Sequence, residues 1–256
     1  MRLSPFALLD RWRAPAPEPA RVAWLRRATY AHRGLHGDGA TENSPTAFAA
    51  AVARGLGIEC DVQQSRDGRA MVFHDWELDR LTGERGLVRE RDLAELARIR
   101  LVGGDPIWTL PQLLAFVAGR APLLIELKSK REVPYAPLCR AVRDAIEGYH
   151  GEVAAMSFDP RIVRWFARRA PHVVRGLVVT EQGHRTLAGR YRRHSALWHA
   201  RPEFLAYDVR DLPSAFAAAQ RVRGLPLLTW TVRTPELAAR AALHADAPIA
   251  EGAGVG

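Results

Sequence analysis

The sequence predicts an α/β protein with the (β/α)8 TIM barrel fold. Short apolar runs of strand length recur eight times along the 256 residues, and helix-like segments lie between most of them. The length also suits one barrel domain, which typically takes about 250 residues. An open doubly wound sheet is the alternative, but the chain lacks the glycine-rich dinucleotide and phosphate-loop fingerprints that would favour it.

The elements follow in order along the chain. The predicted barrel strands are 29–33, 57–61, 123–127, 153–158, 173–179, 204–209, 225–232 and 247–250. The predicted helices are 44–54, 110–117, 136–146, 160–169, 213–221 and 235–244. Three helix starts are marked by Ser44, Asp159 and Thr234, each of which precedes a proline. A capping side chain before a proline at the first helical position is a typical helix start.

Two segments fall outside this alternation. Residues 1–28 include a proline-rich stretch and are interpreted as a leader or a short amphipathic arm before a barrel domain at 29–256. Residues 78–108 are charged and rich in glycine, with one short helix near 92–99, and are interpreted as an insertion over one end of the barrel.

Composition narrows the class of protein. The hydrophobic content of 48% and charged content of 25% are typical of a globular protein with a substantial core. The net charge of +9 comes from dispersed arginines without an aromatic-interleaved basic stripe, so no nucleic-acid partner is expected. Weak association with an acidic membrane surface, or attraction of anionic substrates, stays open. The oligomeric state is not predicted.

The two cysteines and the N-terminus bear on the compartment. Cys60 and Cys139 form no disulfide framework and no metal spacing, and are predicted to be buried free thiols. Free thiols suit a reducing compartment, so a cytoplasmic location is expected. We expect neither a secretory signal nor a membrane span, because no apolar run is long enough.

The run 69–74 is too close to the strand ending at Asp61 for a parallel crossover. Asp67-Gly68 is a typical hairpin turn. If these two residues form the turn, Arg66 faces Arg69 and Asp61 lies directly opposite His74, with β-carbons about 5 Å apart. The turn therefore predicts that His74 shares a site with Glu59 and Asp61.

Three carboxylates are predicted to converge at the mouth of the barrel. Glu59 and Asp61 project from one face of a strand, and Glu126 ends a later one, two residues before Lys128. Such carboxylates repel one another unless a hard cation lies between them, and an all-oxygen set favours Mg²⁺ or Ca²⁺. The alternative is a structural ion pair between Lys128 and Asp61 or Glu59.

His32 and Arg33 end the first strand. Two histidines, His32 and His74, beside a cation suit general acid and base roles. Arg33 and Lys128 offer positive charge to a bound anion. Glu42-Asn43 is either a loop anchor for the first helix or part of the site.

The order of these motifs resembles the glycerophosphodiester phosphodiesterase family. The shared motifs are His-Arg-Gly, Glu-Asn-Ser, Glu-x-Asp-Val, Asp-Gly, His-Asp, Glu-x-Lys and a late Trp-Thr-Val. The resemblance implies a barrel enzyme that cleaves glycerophosphodiesters, which are small molecules, to glycerol 3-phosphate and an alcohol. It implies Glu59, Asp61 and Glu126 as ligands of Mg²⁺ or Ca²⁺, His32 and His74 as the acid/base pair, and Arg33 and Lys128 at the phosphate. Trp230 would line the alcohol side of the pocket or pack in the core, and Phe73 could add an apolar wall.

Two other functions stay open. One is a lysophospholipase D-like activity on lysophospholipids, and the other is a phosphate-binding barrel without catalysis. The chain departs from the family's pattern after its last strand, where Glu251-Gly252 follows 247–250, so the loop there could differ.

Overall fold

The computed structural model describes residues 6–256 and has the predicted (β/α)8 barrel fold. The strands of the described chain are β1 (Tyr30–Ala31), β2 (Gly57–Gln64), β3 (Ala70–Val72), β4 (Leu123–Leu127), β5 (Val153–Ser157), β6 (Val174–Val179), β7 (Phe204–Asp208), β8 (Leu227–Val232) and β9 (Ala247–Ala250). They follow the order β1-β9-β8-β7-β6-β5-β4-β2-β3, and a further β1–β2 pairing closes the sheet. The eight barrel strands are parallel, and β3 is added antiparallel to β2.

The helices occupy the connections. Within residues 6–256 the α-helices are α1 (Ala7–Arg13), α2 (Pro19–Val22), α3 (Pro45–Ala53), α4 (Leu93–Leu96), α5 (Leu110–Val117), α6 (Ala136–Ile146), α7 (Pro160–Arg169), α8 (Leu187–Ala200), α9 (Ala215–Val222) and α10 (Pro235–His244). Short 3₁₀ turns lie at Ala23–Arg26, Val88–Glu90, Val209–Asp211 and Gly252–Gly254.

The predicted helix starts are confirmed at their caps. The side chain of Ser44 accepts from the Ala47 amide, Asp159 from Arg161, and Thr234 from Leu237. The start predicted at residue 213 is wrong by two residues, because Ser214 is the cap of α9 and accepts from the Ala217 amide. Helix α8 is absent from the predicted set, because its sequence is polar and arginine-rich and has no strong apolar stripe.

The hairpin between β2 and β3 differs from the predicted register by one residue. Val62 pairs with Val72 and Gln64 with Ala70, so the Phe73 amide, not that of His74, donates to the Asp61 carbonyl. The loop has three residues, 66–68, and Gly68 lies in the left-handed region at φ +84°. A turn followed by a left-handed glycine adds one residue to the expected two-residue loop, which shifts the pairing.

The chain divides into two compact units, and the first is Tyr30–Val153. Its segment between β3 and α5 has an apolar core that includes Leu78, Val88, Leu96 and Leu101. Phe73 belongs to this core and is 1% exposed. The prediction that Phe73 forms an apolar wall of the pocket is therefore corrected, because a side chain this buried presents almost no surface to a ligand.

The second unit combines the residues up to Thr29 with Ala154–Gly256. Asp10 on α1 is 2% exposed. It connects this helix to the rest of the unit through three side chains. It accepts from His194 Nδ1, Trp198 Nε1 and Gln220 Nε2, each at 2.8 Å. The described part of the predicted arm is thus packed on this unit, while its first five residues lie outside the described chain. The predicted domain boundaries at 28 and 29 stay a prediction.

Both cysteines are buried and free, as predicted. Across residues 6–256, none of the helices combines the length and the apolar character that a membrane crossing requires. The predicted cytoplasmic location stays a prediction.

Candidate active site

Three buried carboxylates gather on β2 and β4. In the parallel register Asp61 lies beside Glu126, and Glu59 lies two residues earlier on the same face of β2. Their side chains offer oxygen atoms that all lie within 4.8 Å of one another. Exposure is only 2% for Glu59, 2% for Asp61 and 8% for Glu126. Carboxylates this close and this buried require positive charge nearby.

Lys128 supplies part of that charge. Its Nζ lies 2.8 Å from Asp61 Oδ1 and 2.8 Å from Glu126 Oε1. Burial alone would lower the pKa of Lys128, but the two carboxylates raise it above its ordinary value. The ion pair that the sequence left open as an alternative is therefore present, within the same cluster as the three acids.

Arg33 joins the cluster through a left-handed backbone. At φ +56° its amide points at Glu59 and donates to Oε2 at 3.0 Å. Its side chain donates to Glu42 at 2.7 Å and lies 3.2 Å from Asp61 Oδ2. Gly34 follows at φ +79°, where a Cβ would approach Ala47 to 2.9 Å. Glycine at this position therefore lets the turn after β1 pack against α3.

Asn43 holds Asp61 in place. Its Nδ2 donates to Asp61 Oδ2 at 3.0 Å, and its Oδ1 accepts from the Asp61 amide at 3.2 Å. Asn43 is 1% exposed and lies in the left-handed region at φ +55°, which asparagine tolerates better than most residues. The sequence leaves Glu42-Asn43 either as a loop anchor or as part of the site. The two hydrogen bonds of Asn43 connect this loop to the carboxylates, and a role in the site stays a prediction.

His74 is oriented by its neighbour in sequence. Its Nδ1 lies 2.7 Å from Asp75 Oδ1, and Arg80 donates to both Asp75 and Glu42. A hydrogen bond from Arg80 lowers the pKa of Asp75 to about 2, so this carboxylate is ionised at neutral pH. Sequence reasoning missed Asp75 and Arg80 as site residues, although Asp75 belongs to the His-Asp motif and Arg80 follows shortly after it.

The charges of the cluster shift its pKa values in opposite directions. Burial raises the pKa of Glu59 well above its ordinary value, and the charges of Asp61 and Glu126 raise it further. Burial likewise raises the pKa of Glu126. Burial would also raise the pKa of Asp61, but Lys128, His74 and Arg33 together bring it below its ordinary value. Lys128 and Arg33 therefore do not fully compensate the negative charge of the three carboxylates.

This donor set fits a hard divalent cation. It consists of oxygen atoms alone, which is the set that Mg²⁺ and Ca²⁺ prefer. A cation would also relieve the repulsion between the carboxylates, which adds to burial in raising the pKa of Glu59 and Glu126.

Two further predicted residues have described surroundings. His32 is 9% exposed at the end of β1. Trp230, in the second unit, donates from Nε1 to the Ala206 carbonyl at 3.0 Å and packs edge-on against the half-exposed ring of Phe158 at 5.3 Å. The role of Trp230 as pocket lining stays a prediction.

A barrel with a buried carboxylate cluster and a histidine hydrogen-bonded to a carboxylate has side chains that hydrolases use for acid–base or metal-assisted catalysis. Residues 32–251 match the model of the glycerophosphoryl diester phosphodiesterase family. The chain belongs to this family, which is named for an enzyme activity, the hydrolysis of phosphoric diesters.

Individual relatives agree with the family match. A glycerophosphodiester phosphodiesterase of Bacillus altitudinis is 33% identical over 155 residues, which cover 56% of this chain and 63% of that protein. The chain therefore matches a little under two thirds of that relative's length. One from Caldanaerobacter subterraneus subsp. tengcongensis is 28% identical over 83% of this chain and 88% of its own length.

A solved structure shares the fold. It is an Oleispira antarctica phosphodiesterase in complex with the product sn-glycerol-3-phosphate, with a TM-score of 0.77 and 23% identity. The match covers 87% of this chain and 92% of that one. At this level of identity the likeness establishes the barrel fold.

Proposed function

We propose that this protein hydrolyses glycerophosphodiesters to glycerol 3-phosphate and an alcohol, with Mg²⁺ or Ca²⁺ bound by Glu59, Asp61 and Glu126. The observation that carries the proposal is the cluster of three buried carboxylates with ligand atoms within 4.8 Å, in a chain of this family. The complex of a protein of the same fold with sn-glycerol-3-phosphate supports the choice of product.

When bound, the cation supplies positive charge to phosphate oxygens and to charge that develops in the transition state. Arg33 and Lys128 add fixed positive charge for the phosphate. Because both already contact the carboxylates, they also limit the repulsion within the cluster before any ligand binds.

His74 is the general base in this proposal. With Nδ1–H donated to the ionised Asp75, Nε2 keeps its lone pair and can take a proton from the attacking hydroxyl or water. Burial lowers the pKa of His74 below its ordinary value, which favours the neutral imidazole. His32 gives a proton to the leaving alcohol, and Trp230 lines the alcohol side of the pocket.

The experiment is a release assay for glycerol 3-phosphate from glycerophosphocholine and glycerophosphoethanolamine. We expect turnover that EDTA abolishes and that Mg²⁺ or Ca²⁺ restores, and loss of about a hundredfold in His32→Ala and His74→Ala. Lysophosphatidylcholine in the same assay tests the lysophospholipase D alternative. Turnover that survives EDTA, or that is unchanged in both histidine variants, would disprove the mechanism.

A further inference from the structure

A second charged feature lies in the unit formed by residues 6–29 and Ala154–Gly256. Arg164 and Arg168 are one turn apart on α7, and Arg201 follows α8. Together they line a cleft of about 370 Å³ beside Pro15 and Pro17, which we call the arginine cleft. Arginines at positions i and i+4 of a helix repel each other, so this arrangement needs an explanation.

These three arginines are not neutralised by carboxylates of the protein. Glu203 also lines the cleft, but Arg21 and Arg175 already bind it. None of the ion pairs among residues 6–256 includes Arg164, Arg168 or Arg201. The cleft therefore presents concentrated positive charge to an outside anion.

Helix α1 places exposed apolar side chains next to this charge. While Asp10 points inward, Leu8 and Trp12 lie one turn apart on the outer side and are 76% and 71% exposed. The guanidinium of Arg13 lies 4.6 Å from the centre of the Trp12 ring. Arg13 also lines a second cavity of about 310 Å³, which it shares with all three arginines of the cleft. The apolar face of α1 and the arginine cleft are thus joined through Arg13.

We infer that this surface docks the protein on an anionic phospholipid membrane. Exposed leucine and tryptophan side chains beside arginines are typical of a helix that lies in a membrane interface. Guanidinium groups match lipid phosphates, and each arginine near an anionic surface adds to the binding. The charge complementarity favours an anionic bilayer over an apolar protein partner. The inference does not depend on the proposed hydrolysis.

The experiment is flotation of the full chain with two kinds of vesicle. One contains phosphatidylcholine alone and the other equal parts of phosphatidylcholine and phosphatidylglycerol. We expect binding to the anionic vesicles that weakens at high salt. We expect Arg164→Gln with Arg168→Gln, and separately Leu8→Ser with Trp12→Ser, to weaken it by about tenfold or more.

The matched control is Arg98→Gln with Arg240→Gln, which removes the same charge from exposed positions elsewhere. It should bind nearly as well as the wild type, and circular dichroism should show that every variant is folded. The inference would be overturned by no binding to anionic vesicles, or by equal losses in the control and test variants. A wild-type dimer that becomes monomeric in Leu8→Ser with Trp12→Ser would also overturn it, because a second copy of the chain would then cover this surface. Binding of inorganic phosphate without vesicle binding would also overturn it, in favour of a small-anion site.

Discussion

The residues of the acid cluster differ in how their charge is balanced. Asp61 has a lysine, an arginine and an asparagine as partners. Glu59 instead accepts a hydrogen bond from one backbone amide, and its pKa is raised. Glu126 lies between these extremes, with Lys128 as its cationic partner. A substitution at Glu126 therefore tests the proposed cation site while leaving Asp61 and its contacts with Asn43 and Arg33 in place.

Glu126→Gln should weaken binding of Mg²⁺ and Ca²⁺ by at least about tenfold, because it removes one anionic oxygen donor. Isothermal titration calorimetry on protein freed of metal measures this without reference to turnover. Glu132→Gln, at an exposed position, removes the same charge and should bind as the wild type does. Equal affinities in the wild type and Glu126→Gln would exclude Glu126 as a ligand.

Asp75→Asn should lower kcat by about tenfold to a hundredfold, because Asp75 orients the ring of His74 and selects its tautomer. The hydrogen bond to Asp75 raises the pKa of His74, so its loss should lower that pKa further. In the proposed mechanism His74 is a base and works when it is neutral. The acid limb of the kcat/KM profile should therefore move to lower pH. Asp38→Asn, at an exposed loop position, is the control. A lower kcat with an unmoved acid limb would mean that Asp75 does not act through His74.

At the scale of elements, the β2–β3 hairpin sets which residues of the two strands face each other. Its three-residue loop depends on Gly68 at φ +84°, a conformation that costs other residues about 1 kcal/mol or more. A slip of one residue in the pairing of β2 and β3 would move every side chain of a strand to the opposite face of the sheet. This loop therefore also determines the position of His74, which follows β3.

Gly68→Ala should reduce the free energy of unfolding by about 1 kcal/mol, as measured by urea denaturation. Gly83→Ala is the matched control, because Gly83 is exposed, lies outside the left-handed region and has no atom within 4 Å of where a methyl group would be added. Gly83→Ala should leave stability unchanged or slightly higher. Equal effects of the two substitutions would show that the left-handed glycine does not limit the hairpin.

At the scale of the whole molecule, the N-terminal residues from Phe6 onward are part of a folded unit whose other residues begin at Ala154. Asp10 makes this connection to His194, which is 184 positions away in sequence. Burial would raise the pKa of Asp10, but hydrogen bonds from His194, Gln220 and Trp198 bring it below its ordinary value. Its ionised form is therefore stabilised by folding.

Asp10→Asn should lower stability at pH 7 by about 2 kcal/mol, the order expected for hydrogen bonds to a charged group. Because the folded pKa of Asp10 lies below the unfolded value, the wild type keeps this contribution above about pH 4 and loses it as pH falls further. The difference in Tm between the two proteins should therefore narrow on acidification. Glu18→Gln, an exposed change on the same segment, should show no such narrowing. A gap in Tm that is independent of pH would contradict the role of the Asp10 charge.

Much of the architecture was predictable because barrel strands and amphipathic helices carry local signals. Helix α5 at Leu110–Val117 and strand β4 at Leu123–Leu127 match their predicted bounds. The polar helix α8 was not predicted, because it buries few large apolar side chains. The register of the hairpin was predicted wrongly, because one glycine dihedral angle decides between a two-residue and a three-residue loop.

The sequence by itself determined the order of the barrel strands, most of the helices between them, and the presence of three acids on β2 and β4, because periodicity and residue type are local properties of a chain. Only the tertiary structure decided that Lys128 binds two of those acids, that Asn43 holds Asp61, and that Asp75 and Arg80 orient His74. It also placed Phe73 in the core and the arginines of α7 and α8 in one cleft. Such contacts depend on distances between segments far apart in sequence, which no local pattern encodes.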